Sequence, residues 1–314
     1  MNKKYTLLGV AALLATGVVA KPFSASDVPA DTKWVAYADM TQARDTQIGK
    51  HFINGIDEKD RRKLDAFKAI FNFDLINDID SLMIFGPALE EDGDAVLLFS
   101  GNFNKEHLLT LVRANETYAS KSHGEATIHS WVDDKNKGVD PEIRTYGAFA
   151  SDGTIVLGDV LSLVSQALDV LEGKAAGLAG ESVLNLSDRG GAVFAAAALK
   201  VSDGESLPAE AAMLRQTRSM VFSIRENEGR LMGEIEINTD NSEAVTHMDS
   251  VVRGILAMGF LYEEAYPGLS ELVRGIQIET TESRVLIKTS YPVERVIKTI
   301  EESVDKATDD AEVE

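Results

Sequence analysis

Five histidines, no cysteine and a large excess of acids bound the chemistry open to this chain. Without a thiol there is no cysteine nucleophile, thiolate zinc site, iron-sulfur cluster or covalently attached c-type haem. The patterns G-x-S-x-G, G-x-G-x-x-G, H-E-x-x-H and the glycine-rich phosphate loop are all missing, which removes the readily recognised hydrolases, nucleotide binders and zinc proteases. Of His51, His107, His123, His129 and His247, only His123 and His129 lie close together, with Glu125 between them. Two imidazoles and a carboxylate across a strand pair would suit a transition metal, so these three are the weak metal candidates; the expectation is no metal and no cofactor. His129 shares strand parity with Trp131, so at most one of the two histidines faces the core with that ring.

Three further groups invite a chemical reading and default to a simpler one. The run Asp133-Asp134-Lys135-Asn136-Lys137-Gly138-Val139-Asp140 fails the ligand and glycine positions of a calcium loop and reads as a solvated turn. Lys59, Arg61, Arg62 and Lys63 alternate with Glu58, Asp60 and Asp65, so helical neighbours neutralise them; a docking patch for an acidic partner is the sharper alternative. Asp39 closes an apolar run before Met40-Thr41, where a carboxylate serves as a helix N-cap. No catalytic residue is identified.

The elements that must position such groups are legible from periodicity. Trp34-Val35-Ala36-Tyr37-Ala38 predicts a strand covered on both faces. Asp57 predicts the start of a helix with Leu64, Phe67, Ile70 and Phe71 on one side, and Asn104 that of a short helix with Leu108, Leu109 and Val112. Strands are expected at 81–85, 95–101, 127–132, 144–150 and 154–157, the last pair joined by Ser151-Asp152-Gly153. A helix carrying Leu161, Val164, Leu168 and Leu171 follows. Gly173 to Gly191, rich in small residues, predicts a boundary. Beyond it the order recurs: a strand at 192–199, a short helix near Pro208 to Arg215, a hairpin of 219–224 with 230–238, a long helix capped by Asp240 or Asn241, a hairpin of 276–281 with 284–289, and a final helix started by Pro292. Tyr146 to Glu172 matches Gln277 to Glu302 in element order, and Ser81 to Val112 matches Ser219 to Leu261. The fold class expected is therefore α+β: antiparallel sheets with helices on one face, in two similar halves of strand-strand-helix units.

The ends carry the address. Lys3 and Lys4 precede an apolar stretch from Leu7 to Ala20, with Val18 and Ala20 before Lys21; the stretch is short for a membrane span and fits a cleavable signal peptide. The expected organisation is a signal peptide at 1–20, an extended leader at 21–32, a first half at 33–173, a linker at 174–191, a second half at 192–304 and a disordered acidic tail at 305–314. Losing Lys3 and Lys4 takes the net charge from −20 to −22. Such a field repels phosphate backbones and anionic lipid, so neither nucleic acid nor a membrane surface is an expected partner. An exported chain of this length without disulfides must rely on its own core, and 44% hydrophobic residues can supply one.

The opening Trp34-Val35-Ala36-Tyr37-Ala38-Asp39 with Ile48-Gly49-Lys50, and the later Ser223 to Asn238 with Val251-Val252-Arg253-Gly254-Ile255-Leu256, resemble a class of exported bacterial proteins of unknown function. The resemblance implies a signal peptide, an "x-x-G-K" helix and repeated hairpin-helix units, and brings no catalytic residues. The leading reading is a periplasmic or secreted protein that binds or scaffolds an envelope protein or small ligand without catalysis. A hydrolase with scattered carboxylates and a carrier of apolar ligands compete with it. Geometry separates the three: a cleft with two carboxylates about 5–10 Å apart for glycoside hydrolysis, a dry apolar cavity for the carrier, a flat surface for the scaffold. If the export reading holds, the intact mass of protein recovered from its native cells will correspond to a chain starting at Lys21; a mass retaining Met1 to Ala20 contradicts it.

Overall fold

The structure, a computed structural model, describes residues 24–89, 94–132, 144–150, 153–178, 192–199, 217–260 and 269–312. The signal-peptide segment, the Asp133 to Asp140 run, most of the linker and the Pro208 to Arg215 helix lie outside the described residues.

Alternating burial builds the first strands. In β1 (Trp34–Asp39) Val35 and Tyr37 are buried, and β2 (Ile79–Gly86) and β3 (Val96–Gly101) bury every second residue, the period-2 signature of a pleated sheet. The strands β4 (Ala119–His123), β5 (Ala126–Trp131), β6 (Thr145–Phe149) and β7 (Ile155–Gly158) complete the first half. The second half supplies β8 (Phe194–Leu199), β9 (Thr217–Asn227), β10 (Arg230–Thr239), β11 (Gln277–Thr280) and β12 (Arg284–Pro292). All twelve join in one antiparallel sheet, ordered β11-β12-β10-β9-β8-β1-β2-β3-β7-β6-β5-β4.

The repeat expected from element order is present in the topology. From the centre outward, β1-β2-β3-β7-β6 on one side matches β8-β9-β10-β12-β11 on the other. The seam is the antiparallel pair β1–β8, Val35 opposite Ala197 and Ala36 opposite Ala196. Ala195 and Ala197 of β8 are buried there. The halves thus share one sheet.

Helices α1 (Met40–Asp45), α2 (Gln47–Asn54) and α3 (Glu58–Phe71) connect β1 to β2, and α4 (Lys105–Arg113) follows β3. Three of their caps are those the sequence predicts: Asp39 accepts from the Gln42 amide, Asp57 from Asp60 and Asn104 from His107; the fourth, Thr46 accepting from the Gly49 amide at the start of α2, is not. Each such cap is worth about 1 kcal/mol. Gly49 is required by a close approach, because a Cβ there would lie 1.9 Å from the Ala43 carbonyl oxygen across the α1–α2 corner. In the second half Asn241 caps α6 (Ser242–Gly259), followed by α7 (Leu269–Arg274) and α8 (Val293–Glu312). The last helix runs past the stop expected at Val304: Lys306, Ala307 and Ala311 favour helix, and a helix once nucleated propagates at one hydrogen bond per residue. The leader is also more ordered than an extended arm, with a short 3-10 turn at Ala25–Asp27 and a fully buried Val28.

The two sheet faces are packed differently. Toward one face point Val35, Tyr37, Met83, Phe85, Val96, Leu98, Ile128, Val156 and Val221, and α5 (Leu161–Leu171) lays Val164, Ala167 and Leu168 on them, all at zero exposure. The opposite face carries α3 and α4 in the first half and α6 in the second, where Val245 and Met248 meet Ile237 and Val285. Helices therefore use both faces, since nearly every central strand is apolar on both parities and each side needs cover. Among the described residues no helix is long and apolar enough to cross a membrane. Truncating Leu168 to alanine removes the centre of the solid face; urea unfolding should show a loss of about 3 kcal/mol.

Candidate functional site

On the face opposite α5 a single row of side chains crosses the sheet: His129 on β5, Gly147 on β6, Leu157 on β7, Leu97 on β3 and Ile84 on β2. Gly147 interrupts this row. A Cβ there would meet Leu157 at 2.8 Å and the Trp131 ring at 3.2 Å, so a side chain at 147 would intrude on the space that those groups border. A cavity of about 380 Å³ opens here. Its floor is Phe99, His129, Trp131, Gly147, Phe149, Ile155 and Leu157; its roof is Phe67 and Phe71 of α3, Phe73, Leu75 and Phe103 of the connecting loops, and Leu108, Leu109, Leu111 and Val112 of α4.

The roof is a chain of aromatic contacts. Phe67 stacks on Phe71 with centroids 4.3 Å apart, Phe73 meets Phe67 edge-on at 5.1 Å, and Phe103 meets Phe73 at 5.2 Å. None of the residues of α3 is fully buried, although its inner side is apolar, because that side borders the cavity. Polar ties hold the roof in place: His107 Nε2 shares a hydrogen bond with the Ile70 carbonyl at 2.7 Å, and Asn115 Nδ2 donates to the Val132 carbonyl at 3.3 Å. Asn72 ends α3 in the left-handed conformation, φ 57°, and turns the chain so that Phe73 comes back over Phe67.

Asp74 organises the turn that carries Phe73 and Leu75. Its Oδ1 accepts the amides of Ile76 at 2.9 Å and Asn77 at 3.1 Å, its Oδ2 accepts Lys68 Nζ at 3.1 Å, and its own amide donates to Asp78. Burial alone would raise its pKa; the hydrogen bonds from Asn77, Lys68 and the Ile76 amide outweigh that and hold it at about 2. A separate polar cleft of about 320 Å³ includes Asp65 and Asp74 among Arg44, Lys50, Arg61 and Lys68. A carboxyl held at about 2 is ionised at neutral pH and cannot act as a general acid. Asp74 is therefore not the protonated carboxyl that glycoside hydrolysis requires.

The metal candidates are not brought together. The turn Gly124-Glu125 pairs His123 with Ala126, so His123 and His129 fall on opposite faces. His123 Nε2 bonds Asp169 of α5 at 2.8 Å, Glu125 is exposed, and His129 Nδ1 meets the Tyr118 hydroxyl at 2.9 Å. Among the described residues no group of three or more metal-binding side chains converges. As parity demands, only His129 accompanies Trp131, in the cavity floor. The basic cluster on α3 is exposed, with Lys63 paired to Asp60 at 2.6 Å, and Asp39 is a cap. The residues that sequence reasoning misses are the roof phenylalanines: helical spacing puts Phe67 and Phe71 on one apolar side without saying that it borders a cavity, and the clustering of Phe67, Phe71 and Phe73 is the signal available.

No family model matches this chain, and no curated protein matches it. Among solved structures it is similar to crystal forms of TP0453: form III with a TM-score of 0.45, 10% identity and coverage of 89% of this chain and 98% of that one; form IV with 0.46, 11%, 89% and 97%; and form I with 0.44, 11%, 90% and 98%.

The Asp74 turn makes a pH prediction. A folded pKa of about 2 lies below the unfolded value of about 3.9, so the stabilisation is fully present above pH 4 and lost as pH falls through 2. Asp74→Asn should cost about 2 kcal/mol at pH 7 and almost nothing at pH 2, measured by urea unfolding at both values.

Proposed function

We propose that this chain is an exported, non-catalytic protein that binds a long apolar chain between α3, α4 and the β5-β6-β7-β3 face. The observation that carries this is the cavity itself, about 380 Å³, in the range that ligand sites occupy, and lined by sixteen apolar or glycine positions and one histidine. Water in such a space finds few partners. An acyl or alkyl chain finds dispersion contacts on every side and contributes about 0.8 kcal/mol for each methylene it buries, partly offset by the lost freedom of the chain.

Carrier is thereby favoured over the two competing readings. The acidic residues lie outside this cavity, and Asp74 in the polar cleft is committed to a turn. The concave face argues against a purely flat docking surface. Export to the periplasm or medium is part of the proposal and rests on Lys3, Lys4 and the Leu7 to Ala20 run; a strongly acidic body suits a soluble carrier that does not stick to anionic membrane.

Displacement of the fluorophore N-phenyl-1-naphthylamine by 1-alkanols tests the reading. From octanol to dodecanol each added methylene should tighten binding about fourfold until the space is full. Leu111→Trp, placed on the α4 side of the cavity, should preserve the melting temperature and weaken dodecanol by tenfold or more, about 1.4 kcal/mol. Binding that is flat across the series, or indifferent to Leu111→Trp, contradicts the proposal.

A further inference from the structure

One side chain in the cavity is built for a polar contact. His129 is 6% exposed and lines the cavity floor. Its Nδ1 is taken by the Tyr118 hydroxyl at 2.9 Å, and Tyr118 stacks on the imidazole at 5.9 Å. Its Nε2 has no hydrogen-bond partner among the described residues. It is not one of the fully enclosed unpartnered atoms, so a ligand in the cavity can supply the partner that the imidazole lacks. With the Tyr118 hydroxyl donating to Nδ1, the neutral ring carries its proton on Nε2 and offers a donor. Burial, then the nearby cations of Arg113 and Lys105, keeps the imidazole below its usual pKa, in line with the neutral form.

Positive charge gathers at this spot in an otherwise acidic chain. Lys105 Nζ sits 5.1 Å from the centre of the Phe149 ring, itself part of the cavity floor. Arg113, at the far end of α4, also disfavours a charged His129. A neutral hydroxyl would satisfy His129 and leave this field unused. A carboxylate satisfies both, because charge-assisted hydrogen bonds are about twice as strong as neutral ones.

We infer that the cavity ligand is a carboxylate-headed chain, a fatty acid or similar amphiphile, with a carboxylate oxygen accepting from His129 Nε2 on the side of Lys105 and its tail under the roof phenylalanines. This rests on the proposed chain binding and specifies its ligand class.

Isothermal titration of the mature chain with four twelve-carbon probes, dodecanoate, methyl dodecanoate, dodecanol and dodecylammonium, tests it. Dodecanoate should bind about tenfold tighter than the ester or alcohol, and dodecylammonium weakest. His129→Phe, close in shape, should abolish the preference for the carboxylate over the ester and alcohol; Arg113→Gln, at an exposed position, should reduce it and lower its sensitivity to salt. Equal binding of dodecanoate, ester and alcohol overturns the carboxylate inference and leaves chain binding standing, as does a preference that survives in both variants. An ester that binds as tightly as the free acid assigns the contact to an esterified acyl group and overturns the anionic reading. Failure of all four probes to bind overturns both.

Discussion

The constraint on which this structure depends is the strict alternation of side chains along its strands. Parity sends Val35, Tyr37, Met83, Leu98 and Val156 to one face, where they form one buried core with Val164, Ala167 and Leu168 of α5. The same parity sends Phe99, Leu157 and His129 to the other. The first face is solid and stabilises the fold. The second can then be incompletely filled, because its packing is not what holds the sheet together.

Central pairing of β1 with β8 makes the two halves share that arrangement, so α4 and α6 occupy corresponding places on the second face. What differs is what surrounds them. The cavity draws on α3, inserted between β1 and β2, and on the β4–β5 hairpin, for which the described residues of the second half show no counterpart. In the second half α6 buries Ala244, Val245 and Met248 at its start, while Ile255 and Met258 are 57% and 51% exposed. Binding in this account is a property of the pieces that break the repeat. The repeat supplies the rigid floor.

Local chemistry made much of the fold legible beforehand. Asp39, Asp57, Asn104 and Asn241 mark helix starts because a short polar side chain satisfies an otherwise orphaned amide, and the two strand-turn-strand-helix units stood out by order of elements alone. The β4 strand was not visible, since Ala119-Ser120-Lys121-Ser122-His123 is exposed on nearly every residue and carries no alternation. Nor was the use of both faces by helices, because periodicity reports that a residue is covered without saying by what. The site was the least legible part. The parity of His129 with Trp131 pointed to a core histidine, and the His123 pairing followed only from a two-residue turn. An apolar stripe that borders a cavity reads identically to one that meets a packed wall.

The most direct measurement is of where a chain sits in the molecule. With selectively methyl-labelled protein and unlabelled dodecanoate, nuclear Overhauser contacts and shift changes should appear at Leu108, Leu111, Ile155 and Leu157 and be absent from Leu168 and Val164 of α5. Contacts confined to the exposed stripe of α6, or none at the first group, would contradict a hollow second face that takes up an apolar chain.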